Sequence, residues 1–430
     1  MGESRQILAQ KLRRALPSPA VRSLLAISLA VVLAIVAIRV TVRRLDQSAS
    51  RYDAPDFVVL FDWGTRYRSG KDVWAKPDAG EMSGRKHVHI CNYTPAFVEA
   101  FAPLTLIDKQ LAHSIWQIAQ LLFLVLALTL LAREIDPPLD LATIVILIAL
   151  ALLFGSVRVG IHSAKSTPML LLLLVTSWLS ARRGRPAAAG LSLAIATLLK
   201  LYPGLFAGYF LIRKRWSELL YAAGFFLVGV VATGISNWLK MPMSRGFTIS
   251  EIVRSSMNHV ALLPSVYGWC ASLAKTGEPS WIVVIAACMI LDMGIMVVLF
   301  RATSTRANDS ISDGLVFALW LIAMVLISPL AWRSELVLVF PAYLFASIAA
   351  LRGSIDGSAI SRAGFLVGTI PVGTCAAIEL IKALPDFQPQ TLTALLVFVG
   401  TSTILKSWMY ASQRSGYRTS QSARLAAPAA

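Results

Sequence analysis

Apolar runs of helix length follow one another through almost the whole chain: Leu24 to Val42, Ser114 to Ala132, Leu141 to Phe154, Leu219 to Leu239, Trp281 to Phe300, Leu315 to Ile327, Leu336 to Leu351, Phe365 to Leu384 and Leu392 to Tyr410. In hydrocarbon a backbone must satisfy its own N–H and C=O groups, so runs approaching about 20 residues fold there as helices. Further spans lie between Met169 and Ile212. The chain therefore reads as an all-α polytopic membrane protein. Its 56% hydrophobic and 15% charged residues, with a mean hydropathy of +0.67, exclude an ordinary soluble domain.

A net charge of +17 would point to nucleic acid in a soluble protein. Here the cations are clustered: Arg5 to Arg22, Arg182 to Arg185, Arg213 to Arg215, Arg301 and Arg306, Arg352 and Arg362, and Arg414 to Arg424. Placing all of them in the cytoplasm satisfies the positive-inside bias at every second loop, and leaves Arg39, Arg43 and Arg44 outside. The basic amino-terminal stretch resembles a signal n-region, but no small-residue cleavage site follows the long apolar run, so it reads as an uncleaved anchor. From Arg185 to Arg213 run about 27 largely apolar residues, roughly 40 Å as one helix, with cations at both ends. A hairpin broken at Lys200-Leu201-Tyr202-Pro203 keeps both clusters inside.

The expected organisation is a basic cytoplasmic segment at 1–23, one transmembrane domain of about twelve helices at 24–410, and a disordered cytoplasmic tail at 411–430. Both termini are then cytoplasmic in a plasma-membrane protein. The loops at 43–112 and 240–280, the segment Arg158 to Thr167, the Lys200 break and the turn Ser328 to Glu335 all face outward. No Gly-rich nucleotide loop occurs, which argues against a cytoplasmic nucleotide substrate.

In the first outer loop, Phe57, Leu60, Phe61, Gly64 and Tyr67 recur at helical spacing and predict an interfacial helix ending at Gly70. Pro55 suits its first turn and Asp56 its amino end, where the dipole favours an ionised carboxylate. By itself this spacing makes Asp56 a helix cap. Pro95 to Ile107 forms a second candidate interfacial segment.

A family resemblance rests on an ordered series of motifs. These are Asp56-Phe57 through Gly70-Lys71-Asp72-Val73-Trp74, Asn92-Tyr93-Thr94-Pro95 with Ala102-Pro103-Leu104, Arg182-Arg183-Gly184-Arg185 with Ala189-Gly190, Leu199-Lys200-Leu201-Tyr202-Pro203, and Ser328-Pro329-Leu330-Ala331-Trp332 with Pro341. In that order they resemble glycosyltransferase family 87. The resemblance implies a GT-C membrane fold and transfer of a hexose, most often mannose, from a polyprenyl-phosphate donor to an extracytoplasmic acceptor such as a glycolipid or polysaccharide. The anomeric centre is inverted and no cofactor is needed. Asp56 matches the family's general base, which takes the acceptor's hydroxyl proton, while cations stabilise the departing phosphate.

The phosphate-side candidates are Lys200, with Tyr202 beside it, Arg158, Lys165, Arg333, and the pair Asn258 and His259 in the second large outer loop. Each has a plainer reading. Lys200 could snorkel to the surface, Arg158 with His162 and Lys165 could form an ordinary basic loop, and Arg333 could pair with Glu335. Many relatives carry Gly-Gln in place of Ala164-Lys165 and two histidines in place of Ser334-Glu335. This departure raises the expectation that Lys165 and Arg333 replace imidazoles in phosphate binding.

His87, His89 and Cys91 alternate as zinc ligands on a strand could, but the region reads as loop and no metal is expected. Cys288 and Cys375 fall inside spans. Cys91 and Cys270 both lie outside, where a disulfide is geometrically possible. A secondary transporter would also have about twelve spans, yet its halves usually repeat; here the halves are dissimilar and the polar residues gather at one surface. An inactive relative that scaffolds envelope assembly is the other alternative.

Overall fold

A computed structural model describes residues 19–51, 55–74, 93–136, 138–240, 281–305, 309–328, 333–355 and 401. The expected spans Phe365 to Leu384 and, apart from Thr401, Leu392 to Tyr410, the trio His87, His89 and Cys91, and the loop carrying Asn258, His259 and Cys270 lie outside the described residues.

Every regular element among the described residues is helical. In chain order these are α1 (Pro19–Arg51), α2 (Pro55–Arg68), α3 (Pro95–Phe101), a 3-10 turn (Ala102–Leu106), α4 (Lys109–Arg133), α5 (Leu141–Leu153), α6 (Gly155–His162), α7 (Thr167–Arg182) and α8 (Pro186–Leu199). They continue with a 3-10 turn (Tyr202–Phe206), α9 (Ala207–Ile212), α10 (Trp216–Ala232), α11 (Ile235–Lys240), α12 (Trp281–Ser304), α13 (Ser310–Ile327), a 3-10 turn (Arg333–Val339) and α14 (Phe340–Ile355).

Among the described residues, four helices are long and apolar enough to cross a membrane: α4, α13, and the stretches Ala26–Arg43 of α1 and Ala286–Ser304 of α12. Shorter apolar helices, α5, α7, α8 and α10 among them, accompany these. The helix starts follow local chemistry. Asp108 accepts hydrogen bonds from the amides of Gln110 and Leu111, Asp140 from Thr143, and Asp309 from Ile311 and Ser312, each meeting donors that the first turn leaves unpaired.

Two segments differ from expectation. The run Leu219 to Leu239 is two helices, because Gly234 adopts φ +81 and ends α10 before α11 begins. The run Leu336 to Leu351 starts as a 3-10 turn and becomes α-helical only at Phe340; Pro341, which lacks an N–H, sits in the first turn, where that loss costs nothing. The break expected at Lys200 is present. Lys200 is extended (φ −146, ψ 142) between α8 and the following 3-10 turn.

α13 is the centre of the main core, buried along nearly its whole length against α14 and α12. Trp178 of α7 stacks on its Phe317 with ring centroids 4.8 Å apart. α8 packs between α7 and α10, and the approach to α10 is close enough that a Cβ on Gly190 would stand 2.6 Å from the Ala222 amide nitrogen. A second apolar cluster joins Phe57, Leu60 and Trp63 of α2 and Phe97, Val98 and Phe101 of α3 to Trp116 of α4, Leu170 of α7 and Leu199 of α8. This cluster fixes α2, and with it Asp56, over the ends of the bundle helices.

Candidate active site

α2 begins at Pro55 and ends where Gly70 takes φ +72, its amide bonding Tyr67 O while Lys71 bonds Arg66 O. Phe57, one residue past Asp56, is buried between Phe61, Phe101 and the ring of His113. At the other end of the helix, burial first, and then the hydrogen bond and charge of Glu99, raise the Tyr67 phenol above its ordinary pKa, so it stays a donor to α3. The Asp56 carboxylate is thereby held at a fixed place with 29% of its side chain exposed.

Its partner is Lys165. The Lys165 Nζ donates to Asp56 Oδ1 at 2.6 Å, and the lysine side chain is only 7% exposed. The backbone explains the aim. α6 ends in a Schellman arrangement: Ala164 takes the left-handed conformation at φ 53, its amide bonds Ile161 O, and the Lys165 amide bonds Gly160 O. Two side chains of α4 brace this turn, Trp116 Nε1 donating to Ala164 O at 2.8 Å and Gln117 Nε2 to Ile161 O at 3.0 Å.

Glu335 forms the adjoining half of the site. Its carboxylate is buried and accepts from Lys200 Nζ at 2.7 Å, from Tyr202 Oη at 2.6 Å and from Thr167 Oγ1 at 3.0 Å. Lys200 Nζ also sits over the rings of Tyr93 and Tyr202, at 5.6 and 5.9 Å. Thr94 places the lysine from behind. It caps α3 through the Phe97 amide, and its hydroxyl donates to Leu198 O at the end of α8. A buried carboxylate or ammonium left unpaired costs several kcal/mol, so these contacts account for how the bundle tolerates both charges.

Two lysines and two carboxylates make this set formally neutral. Three buried polar atoms on the segments that carry this set have no protein partner: Ser166 Oγ, one residue after Lys165, Ser334 Oγ, one residue before Glu335, and Arg158 Nε on α6, the helix that leads to Lys165. A Cβ on Gly160 would lie 3.7 Å from Ser334 Cβ, so α6 meets the 333–339 turn here. Buried donors without acceptors are costly, and such a set matches an anion carrying several oxygens. Among the described residues no His, Cys, Asp and Glu cluster could hold a metal ion.

The structure thus brings together Asp56, Lys165, Lys200 and Tyr202, with Arg158 on the helix leading to Lys165. Arg333 lies on the turn that carries Glu335, its side chain outside the described residues, as are Asn258 and His259 altogether. Lys200 does not snorkel; it is paired inward. Glu335, Thr167 and Tyr93 were not singled out as site residues from sequence, although an intramembrane lysine calls for an acidic partner.

A family model, glycosyltransferase family 87, matches residues 92–329, more than half of the chain. The chain belongs to glycosyltransferase family 87. Lys165 and Lys200 fall within the matched stretch, while Asp56 and Glu335 flank it. A curated relative, the polyprenol-phosphate-mannose-dependent alpha-(1-2)-phosphatidylinositol mannoside mannosyltransferase of Mycolicibacterium smegmatis, is 24% identical over 288 residues. That alignment takes in 63% of this chain and spans 65% of the relative's length. Among solved structures, ArnT from Cupriavidus metallidurans bound to undecaprenyl phosphate is 16% identical with a TM-score of 0.36, over 87% of this chain and 76% of that one.

Proposed function

We propose that this family 87 protein is an inverting glycosyltransferase of the GT-C type. It moves a hexose, mannose in the first instance, from a polyprenyl-phosphate donor to an acceptor such as a glycolipid or polysaccharide. The work is done at the outer face of the plasma membrane, in a multi-pass chain with both termini cytoplasmic. The observation that carries the reading is the partly exposed Asp56 carboxylate paired with a buried Lys165.

Asp56 Oδ1 is occupied by Lys165, which orients the carboxylate and turns Oδ2 toward an acceptor hydroxyl. The acceptor oxygen attacks the anomeric carbon from the side opposite the phosphate. Its proton passes to Asp56, the bond from C1 to the phosphate oxygen breaks, and the polyprenyl phosphate leaves with the electron pair. Arg158, Ser166 and Ser334 supply hydrogen bonds to the phosphate oxygens, and Lys165 and Lys200 supply charge. Glu335 holds Lys200, Tyr202 and Thr167 in place.

The side assignment is supported by the far end of the bundle, where Arg182, Arg183, Arg213 and Arg215 surround Glu134, Asp313 and Glu218. A basic end of this kind fits the cytoplasm, which supports an outer location for the Asp56 end. The test is incubation of membranes containing the protein with radiolabelled polyprenyl-phosphate-mannose and total lipid extract. A new labelled product, absent from control membranes and of inverted anomeric configuration, is expected. Retained configuration would contradict a single displacement assisted by one base.

A further inference from the structure

We infer that Lys165 changes partner during the reaction, from the Asp56 carboxylate to the leaving phosphate, so that protonation of the base and stabilisation of the leaving group are one coupled event. The inference rests on the donor class given above and extends it to the role of one residue. Lys165 is 7% exposed and Asp56 29%, so the ammonium is the more enclosed partner, and when Asp56 is protonated it loses a 2.6 Å anionic contact with little water to replace it. The next residue, Ser166, has a buried hydroxyl with no protein partner, a second group on the same turn that can meet an anion's oxygen.

The movement of charge favours such an exchange. Before transfer, Asp56 carries one negative charge and the donor phosphodiester one. The acceptor proton then neutralises Asp56, and the broken bond from C1 to oxygen leaves the phosphate with a second negative charge. The negative charge that Lys165 faced on Asp56 has moved to the phosphate. A buried cation that gives up a neutralised carboxylic acid for a dianion follows that charge, and lowers the barrier by an interaction stronger after bond breaking than before. Lys200 is placed differently: its carboxylate is Glu335, 2.7 Å away, which takes up no proton in the transfer step and so gives Lys200 no cause to change partner.

Asp56→Asn mimics the protonated base, so the exchange can be read at equilibrium with the product-like probe, a polyprenyl monophosphate in detergent micelles. The native protein, Asp56→Asn, Lys165→Gln and the double variant are compared by titration of the full-length chain. Asp56→Asn is expected to bind the probe about tenfold more tightly than the native protein, and that gain is expected to vanish in the Lys165→Gln background. A gain of equal size in both backgrounds would reduce the effect to repulsion between Asp56 and phosphate and overturn the exchange. Unchanged or weaker binding by Asp56→Asn, with clear binding by the native protein, would overturn it while leaving the proposed function standing. No binding by the native protein, shown folded by an unaltered elution profile, would overturn both.

Discussion

Asp56 and Lys165 are 109 residues apart in the chain and 2.6 Å apart in the structure. The helix that begins at Pro55 and the turn that ends α6 have no local reason to meet. The aromatic cluster between α2, α3 and α4 brings them together, and Trp116 belongs both to that cluster and to the hydrogen bond that braces Ala164. The candidate base and the cation that steadies it are thus fixed by one piece of packing.

Glu335 and Lys200 are expected to behave as one unit in stability. Lys200→Met leaves a buried carboxylate without its cation, and Glu335→Leu leaves an enclosed ammonium without its anion; each should cost about 3–5 kcal/mol. The double variant removes both charges and should recover much of that loss. Thermal unfolding in detergent checks this, with additive losses as the contrary outcome.

Ala164 stands at φ 53, a conformation costing about 1–2 kcal/mol for a residue with a Cβ. Ala164→Gly should therefore raise stability by about 1 kcal/mol, and Ala164→Val should lower it by more than that. Melting temperatures of the two variants, moving in opposite directions from the native value, are the expected reading.

At the far end of the bundle, Asp313 accepts from Trp178 Nε1, Tyr209 Oη and Arg213 and pairs with Arg182. Asp313→Ala leaves these donors without their shared acceptor and should destabilise the protein by about 3–5 kcal/mol. The loss should show as reduced monodisperse yield, with the transfer rate per folded molecule retained, since none of these groups reaches the Asp56 end. A lowered rate per folded molecule at full yield would contradict that separation.

Much of this was legible in sequence because the signals are local. The spacing from Phe57 to Tyr67 predicted α2, Gly70 marked its end, and the Lys200 break followed from helix length and the flanking cations. Gly234 escaped notice inside an apolar run, where hydropathy hides a left-handed turn. Glu335 escaped for a different reason: its partners Lys200 and Thr167 lie 135 and 168 residues away, and only tertiary packing joins them. Lys165 was expected on the phosphate side; the partner the structure gives its ammonium is Asp56, which no local signal could name.

The central claim is that Asp56 is the base of a lipid-donor sugar transfer. Its most direct test compares label transfer from polyprenyl-phosphate-mannose by the native protein and by Asp56→Asn at equal levels in the same membranes. The amide has nearly the shape of the carboxylate but cannot take up the acceptor's proton. Transfer should fall by at least about 10²-fold, and equal transfer by both proteins would contradict the account.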